Sequence, residues 1–139
     1  MPSTVQDIMT RHLETVAPDA AVGEAARRMR DAGVGDVAVV EQERLVGLVT
    51  DRDIAVRIVA EGRDASTPVR EACSAEALAT AAPGMSQADA ARLMREKAVR
   101  RLPVVEGDRI VGMVSIGDLA IEQDERSALA DISATESNR

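Results

Sequence analysis

Two short polar clusters hold the residues of this chain that could bind a ligand. Thr50 and Asp53 stand at the predicted start of a helix, and Ser115 and Asp118 repeat the same spacing. A carboxylate can accept two hydrogen bonds from a cis-diol, and a hydroxyl beside the free N–H groups of a helix N-terminus can hold an anion. Nearby arginines could pair with phosphate oxygens, and these are Arg52, Arg100 and Arg101.

The same clusters also fit a purely structural role. A Thr or Ser followed by Asp at the third helical position forms a variant of the capping box, which stabilises a helix by roughly 0.5–2 kcal/mol without any ligand. Capping and ligand binding compete for the same carboxylate oxygens. Arg100 and Arg101 fit a solvated surface pair as well as they fit a phosphate clamp. Both readings of the clusters remain open at the level of sequence.

An internal duplication supplies the elements that position these clusters. Residues 15–55 align with residues 80–120 without a gap, at a constant offset of 65, and 18 of the 41 pairs are identical. A repeat of this length predicts two copies of one unit, packed about a pseudo-two-fold axis and sharing one core. The clusters then form two equivalent sites that face each other across the axis.

Each copy predicts the order β-α-β-β-α, preceded by a short helix, and therefore an α+β fold of α/β-like character. In the first copy the predicted elements are a short helix over 5–9, a strand over 14–17, a helix from the N-cap Asp19 to Gly33, strands over 37–40 and 45–49 joined by a turn at 41–43, and a helix from Thr50 to Gly62. The first long helix should bury Val22, Ala25, Ala26 and Met29, and the second should bury Ile54, Ile58 and Val59.

In the second copy the predicted elements are a short helix over 69–73 with Thr67 as N-cap, a strand over 79–82, a helix over 86–97, strands over 102–105 and 110–114, and a helix from Ser115. The predicted spans are 1–66 for the first repeat, 67–126 for the second, and 127–139 for the end of the last helix and a polar tail.

Composition argues against several function classes. The net charge of −7, the pI of about 4.8 and the absence of aromatic residues disfavour binding to nucleic acid. No apolar run approaches the length of a membrane helix, and the single cysteine, Cys73, with no signal peptide favours the cytoplasm. One histidine, His12, makes a His/Cys metal site improbable. No group of residues assembles a catalytic nucleophile and base, so no enzyme and no catalytic residue are predicted.

The repeat, its element order and the sequence Gly-x-Val-Thr/Ser-x-x-Asp, called the signature below, together resemble the CBS domain. The signature occurs at 47–53 and again at 112–118, and the run 99–105 resembles the family's usual entry into the following strand. Two such repeats in tandem resemble a CBS-domain pair, or Bateman module. The pair fills nearly the whole chain, so the resemblance is to a stand-alone tandem CBS protein.

The resemblance implies regulatory binding of AMP, ADP, ATP or S-adenosylmethionine in the cleft between the repeats, with no other cofactor. It assigns the ribose hydroxyls to Asp53 and Asp118, and phosphate or ribose contacts to Thr50 and Ser115. The positions that match the family's adenine contacts are Val16, Val37, Ala81 and Leu102. The resemblance also implies a homodimer, and a sensor with no effector domain must signal to a partner protein in trans.

The two copies differ within their clusters. Ile116 and Gly117 replace Asp51 and Arg52, and Asp36 stands where the second copy has Arg101. A carboxylate near a nucleotide phosphate would repel it, so the two sites should bind ligands unequally. These differences also support an alternative function, in which the pair is a ligand-free structural protein that serves as a dimerisation scaffold.

Overall fold

The computed structural model describes residues 3–73 and 78–120. The chain forms two compact units, one from Leu13–Leu78 and the other from Met1–His12 with Ala79–Arg139. The first unit therefore holds the first repeat and the second unit holds the second repeat. The short helix that precedes each repeat along the chain packs in the unit of the other repeat, a pairing that the linear spans 1–66 and 67–126 do not describe. The predicted span 127–139 lies outside the described residues.

The first unit contains a three-stranded sheet and two helices. Its elements in chain order are β1 (Thr15–Val16), α1 (Val22–Ala32), β2 (Asp36–Glu41), β3 (Arg44–Thr50), α2 (Asp51–Ile54), a π-helical turn (Ala55–Val59) and a 3₁₀ turn (Val69–Glu71). Strand β1 runs parallel to β2, and β2 pairs with β3 as an antiparallel hairpin. The hairpin turns at Gln42 and Glu43, whose φ values of 52° and 68° indicate a type I′ loop.

The second unit repeats this arrangement. Its elements are a 3₁₀ turn (Val5–Asp7), α3 (Gln87–Lys97), β4 (Arg101–Glu106) and β5 (Arg109–Ser115), and residues 116–120 begin a further helix. Strands β4 and β5 form the equivalent hairpin, with a register irregularity at the same place as in the first unit. A single parallel bridge from Ala81 to Val104 stands where the first unit has β1.

Aliphatic side chains form a separate core in each unit. In the first unit the buried face of α1 packs on the sheet, and the shared cluster is Val16, Val22, Ala25, Met29, Val37, Val39, Val49, Ile58, Val69 and Ala72. In the second unit the cluster is Val5, Ala81, Ala90, Met94, Leu102, Val104 and Val114. Full burial of one such aliphatic side chain contributes about 1.5–3 kcal/mol.

The two short 3₁₀ turns occupy equivalent places in the two units. Val5 N–H donates to the Met85 carbonyl at 2.8 Å, and Val69 N–H donates to the Ala20 carbonyl at 2.8 Å. Met85 and Ala20 are equivalent positions of the repeat. Each turn also places one fully buried valine, Val5 or Val69, in the core of its unit. The repeats therefore exchange their leading segments.

Two predicted helix caps were wrong. Helix α1 begins after Ala21, not Asp19, and no side chain caps it. Its first N–H groups donate to carbonyls of the linker instead, from Val22 to Thr67 at 2.8 Å and from Gly23 to Ala65 at 3.0 Å. Thr67 is therefore a buried main-chain cap for α1, and the residue that precedes the 3₁₀ turn Val69–Glu71 is Pro68. Main-chain capping removes the need for a side-chain cap.

Two predicted core residues lie on the surface. Ala26 is exposed on α1, and the side of that helix that faces the core is limited to Val22, Ala25 and Met29. Val59 is 68% exposed, although Ile58 is buried as predicted. Residues Ala55–Val59 form a π-helical turn of which Ile58 is the buried residue. Val59 follows Ile58 by about 100° around a helix, so the two side chains do not share one face.

Candidate functional site

Both polar clusters form complete capping boxes. In the first, Thr50 N–H donates to Asp53 Oδ2 at 2.9 Å, and Asp53 N–H donates to Thr50 Oγ1 at 3.0 Å. In the second, Ser115 N–H donates to Asp118 Oδ2 at 2.8 Å, and Asp118 N–H donates to Ser115 Oγ at 3.1 Å. Each Thr or Ser ends a strand, and each Asp lies in the first helical turn, so the sheet and the helix together fix the pair.

The cap uses only one oxygen of each carboxylate. Asp53 Oδ1 lies 3.9 Å from Arg57 Nε, and the Asp53 side chain remains 16% exposed. Asp118 is also partly exposed, and its hydrogen bonds to the described residues involve Oδ2 and the main-chain N–H. A carboxylate oxygen has two acceptor sites. Capping and diol binding are therefore compatible on the same side chain, which removes the competition inferred from the sequence.

Arg57 is a residue of this region that sequence reasoning missed. It stands one helical turn after Asp53, and its Nη1 donates to the carbonyls of Ala72 and Cys73, both at 3.4 Å. The guanidinium thus lies between the Asp53 carboxylate and the segment that leaves the first unit. The i, i+4 spacing of Asp53 and Arg57 was the available signal, and the second repeat has Glu122 at the equivalent position of the sequence.

The first N–H groups of α2 are not free to bind an anion, contrary to expectation. Asp51 N–H donates to the Gly35 carbonyl at 2.9 Å, and Arg52 N–H donates to Asp51 Oδ1 at 2.8 Å. The third N–H, that of Asp53, is held by Thr50. The chain's own carboxylate at Asp51 therefore occupies the place that an anion would take in the first repeat.

The helix after β5 has no such carboxylate. Ile116 N–H donates to the Arg100 carbonyl at 2.9 Å, which matches the bond from Asp51 to Gly35. Position 116 is an isoleucine, and its side chain offers no acceptor to the N–H of Gly117. The two clusters have the same cap geometry but a different supply of acceptors beside it.

The predicted arginines lie near the clusters at different degrees of exposure. Arg52 in the first turn of α2 is exposed, as is Arg100, whereas Arg101 is half-buried at the start of β4. Arg101 is the register partner of Ser115. Side chains directly opposite in an antiparallel pair share one face, with Cβ atoms about 5 Å apart. Of the three arginines, Arg101 is the one that the sheet register holds beside a cap residue.

The predicted adenine contacts lie inside the two cores. Val16 and Val37 are 4% and 1% exposed in the first unit, and Ala81 and Leu102 are 2% and 0% exposed in the second. Strand alternation places other apolar side chains on the face of the sheet that carries the cap residues. On β2 and β3 these are Ala38 and Leu48, and on β4 and β5 they are Pro103 and Met113. The alternation of side chains along each strand indicates from sequence alone that these four residues share a face with the cap residues.

Several other features bear on chemistry. Within residues 3–73 and 78–120 no group of His, Cys, Asp and Glu side chains could hold a metal ion. Burial raises the pKa of the Cys73 thiol above its ordinary value, and Sγ lies 3.7 Å from the Arg70 carbonyl. No helix in the described part of the chain is long and apolar enough to cross a membrane.

The comparisons with known proteins agree with the repeat and the fold. The model of the CBS domain matches the chain twice, at residues 5–60 and 69–124. The chain belongs to the CBS-domain family. The CBS domain-containing protein YhcV of Bacillus subtilis is 47% identical over 135 residues, which cover 94% of this chain and 96% of YhcV. CBS-pair proteins of this kind are commonly regulatory ligand-binding modules, and are generally not catalytic.

Solved CBS structures share the fold. A putative signal-transduction protein with CBS domains from Burkholderia ambifaria is 32% identical, with a TM-score of 0.79 over 93% of this chain and 96% of its own. A CBS domain pair solved in complex with 5′-methylthioadenosine and S-adenosyl-L-methionine has a TM-score of 0.82 at 23% identity, over 91% of this chain and 99% of its own. At 23% identity, the similarity to that solved structure shows only that the two proteins share a fold.

Proposed function

We propose that this CBS pair is a regulatory sensor that binds an adenosine-containing ligand and signals its presence to a partner protein in trans. The observation that supports it best is the geometry of the two capping boxes. Each fixes an Asp side chain through Oδ2, at Asp53 and at Asp118, and the cap itself does not use Oδ1. A fixed, partly exposed carboxylate at the same place in both repeats suits a ribose diol.

The surroundings of each carboxylate suit the rest of such a ligand. The Thr50 or Ser115 hydroxyl accepts the N–H of the same Asp, so in this proposal it is the nearest side-chain hydroxyl to contact the ribose or its 5′ substituent. Apolar side chains on the same face of the sheet, Leu48 and Met113, offer aliphatic surface to a purine in a chain without aromatic residues. Apolar contact with a small number of fixed polar groups is typical of small-molecule sites.

The comparisons support the ligand class without naming it for this chain. One structural neighbour holds 5′-methylthioadenosine and S-adenosyl-L-methionine, and both are adenosine derivatives with an intact ribose diol. AMP, ADP and ATP share that diol. The ribose is therefore the chemical feature that the proposal requires, and the 5′ group distinguishes the candidates.

Thermal unfolding followed by circular dichroism tests the proposal, because the chain has no Trp or Tyr for intrinsic fluorescence. The protein is unfolded alone and with millimolar AMP, ADP, ATP or S-adenosylmethionine. A ligand at about 100 times its Kd raises the free energy of unfolding by about 2.7 kcal/mol, which shifts the midpoint by several degrees. Replacement of both Asp53 and Asp118 by Asn should abolish the shift, since Asn keeps an oxygen for the cap and loses the charge.

The chain contains a matched control for these variants. Thr4 N–H donates to Asp7 Oδ2 at 2.9 Å, so Asp7 accepts the same main-chain bond as Asp53 and Asp118 but lies outside both clusters. Asp7→Asn should lower the midpoint without ligand as much as either site variant, and it should keep the full ligand shift. Loss of the ligand shift in Asp7→Asn would show that the shift depends on helix capping and not on the two clusters.

The ligand-free scaffold remains the second candidate, and a specific observation favours it. Asp51 already satisfies the Arg52 N–H, so the first cluster is complete without a ligand. This function predicts no thermal shift with any of the four compounds. It also predicts a homodimer in analytical ultracentrifugation whose dissociation constant does not change when nucleotide is added.

A further inference from the structure

One register position reverses its charge between the two repeats. Asp36 is the Cα partner of Thr50 at the end of the first hairpin, and Arg101 is the Cα partner of Ser115 at the end of the second. Both therefore lie on the same face as the cap residue, with Cβ atoms about 5 Å apart. A group bound at the Thr50 or Ser115 hydroxyl comes within reach of the charge at this position.

The other charged positions of each cluster do not produce this contrast. Asp51 and Arg52 have opposite charges in the first repeat, and their equivalents Ile116 and Gly117 have none. The equivalents of Gly35 and Arg57 are Arg100 and Glu122, which have opposite charges. The reversal of charge beside the cap residue is therefore carried by Asp36 and Arg101 themselves.

The Asp51 side chain acts in the same direction. Its Oδ1 accepts the Arg52 N–H at 2.8 Å, so a phosphate at the first cluster would have to displace a carboxylate of the chain. Ile116 at the equivalent position of the second cluster presents no charge. The backbone at the start of the two helices is alike, and the side chains make the difference.

We propose that Asp36 and Arg101 set the charge of the 5′ group that each repeat accepts. This inference rests on the proposed function and adds the ligand class of each site. The first repeat takes an adenosine derivative whose 5′ substituent is neutral or cationic, such as a hydroxyl, a thioether or a sulfonium. The second repeat takes an adenosine whose 5′ substituent is a phosphate. The protein is then a sensor of two chemically distinct adenosine pools.

The physical reason is that a guanidinium and a carboxylate interact oppositely with a charged 5′ group. A guanidinium forms charge-assisted hydrogen bonds with a phosphate. A carboxylate at the same place repels the phosphate, and it attracts a sulfonium or accepts a hydrogen bond from a hydroxyl. Adding or removing one charge-assisted hydrogen bond changes the affinity by about tenfold or more.

Calorimetric titration of single-site variants separates the two repeats. Asp118→Asn leaves the first site and Asp53→Asn leaves the second, and each variant is titrated with AMP, 5′-methylthioadenosine and S-adenosylmethionine. We expect the first site to prefer the two sulfur compounds over AMP by about tenfold, and the second site to show the reverse preference by about tenfold. Equal preferences at the two sites would overturn the proposal.

Charge substitutions then test the two residues themselves. Asp36→Arg in the Asp118→Asn protein should strengthen AMP binding by about tenfold, and Arg101→Asp in the Asp53→Asn protein should weaken it to the same extent. Asp36→Asn and Arg101→Gln repeat the test with side chains of similar size, should a full reversal unfold the chain. Two controls change exposed residues outside the clusters. Asp31→Asn on α1 removes a negative charge, as Asp36→Asn does, and Arg95→Gln on α3 removes a positive charge, as Arg101→Gln does. Both controls should leave every ligand preference unchanged.

The failures of the two proposals are distinguishable. If the original protein binds none of the compounds, the adenosine function itself is wrong and the charge assignment falls with it. If it binds them and the substitutions at Asp36 and Arg101 leave the AMP preference within twofold, only the charge assignment is wrong. A change produced equally by Asp31→Asn or Arg95→Gln would indicate a long-range effect of net charge and would also overturn it.

Discussion

At the scale of single residues, the two signature carboxylates each cap a helix start through one oxygen, and the cap does not use the other. Asp53 and Asp118 accept the N–H of the residue that ends the preceding strand, through Oδ2 alone. The neighbouring residues then set the character of each site, because Asp51 supplies an acceptor where Ile116 supplies none. Under the proposed function, a change in a single side chain should therefore have separable effects on folding and on ligand choice.

Asp53→Ala and Asp53→Asn should differ in stability. Alanine removes the acceptor of the Thr50 N–H, so we expect the free energy of unfolding to fall by about 1 kcal/mol, within the range for a lost helix cap. Asparagine keeps an oxygen at that place and should cost less than half as much. Urea denaturation followed by circular dichroism measures both, with exposed Glu96→Ala as a control expected to change little. Equal losses in the two variants would contradict the capping assignment.

The Cys73 thiol should be poorly reactive in the folded protein. Burial raises its pKa, and the thiolate is the reactive form, so the fraction of thiolate is lower in the folded chain than in the unfolded chain. We expect 5,5′-dithiobis(2-nitrobenzoate) to modify native Cys73 several-fold more slowly than the urea-unfolded protein at pH 8. Faster modification of the native protein than of the unfolded protein would contradict a raised pKa for Cys73.

The same shift links Cys73 to the pH dependence of stability. At a pH between the pKa of Cys73 in the unfolded chain and its raised pKa in the folded chain, the folded chain keeps the thiol proton and the unfolded chain releases it. Stability from this group is therefore present below the ordinary thiol pKa and decreases as the pH rises through it. A Cys73→Ser protein should lack this decrease.

At the scale of elements, α1 and α3 are equivalent helices with different C-terminal residues. Both end in the left-handed conformation, at Gly33 with φ of 68° and at Ala98 with φ of 55°. Glycine adopts this conformation at little cost, whereas for a residue with a Cβ it costs about 1 kcal/mol. Helix α3 compensates with a side-chain cap at its other end, where Ser86 Oγ accepts the Asp89 N–H at 3.0 Å.

A reciprocal exchange tests this difference. Ala98→Gly should raise the free energy of unfolding by about 0.5–1 kcal/mol, and Gly33→Ala should lower it by about 1 kcal/mol, because only the left-handed position changes. A Cβ at Gly33 would meet no atom within 4 Å, so steric overlap does not confuse the result. Chemical denaturation measures both variants. A loss of stability in Ala98→Gly would show that helix propensity outweighs the conformational term.

At the scale of the whole molecule, the exchanged segments tie the fold of each repeat to a distant part of the chain. Val5 is fully buried in the core of the second unit, and Val69 is fully buried in the core of the first. The N-terminal residues also bridge to the second hairpin, with Thr10 N–H donating to the Met113 carbonyl at 2.8 Å. Neither repeat completes its core from its own continuous span.

Val5→Ala and Val69→Ala should therefore destabilise opposite repeats. Each substitution removes buried methyl groups and leaves a cavity, which should cost about 2 kcal/mol. Hydrogen exchange followed by mass spectrometry should show faster exchange in α3, β4 and β5 for Val5→Ala, and in α1, β2 and β3 for Val69→Ala. Gln6→Ala, exposed on the same 3₁₀ turn as Val5, is the control. The exchanged arrangement would be contradicted if Val5→Ala accelerated hydrogen exchange in the first repeat, or Val69→Ala in the second.

Much of the fold could be read from local patterns in the chain. The strands β2, β3, β4 and β5, the helices α1 and α3, and the pairs Thr50–Asp53 and Ser115–Asp118 were predicted, because each depends on side chains within a few positions of one another. The family was predicted for the same reason, since the signature occurs twice in register. The predicted caps at Asp19 and Thr67 failed because carbonyls of the distant residues Ala65 and Thr67 accept the first N–H groups of α1.

Other properties arise only when distant segments pack together. The spacing of Thr50 and Asp53 predicts a cap, but the hydrogen bonds from Arg57 to the Ala72 and Cys73 carbonyls form only when distant segments pack together. The repeat predicts that Asp36 and Arg101 are equivalent, but their places opposite Thr50 and Ser115 follow from the hairpin register. Spacing along the chain specifies contacts within one element, whereas contacts between elements depend on how the cores pack, and the fit of many side chains decides that packing.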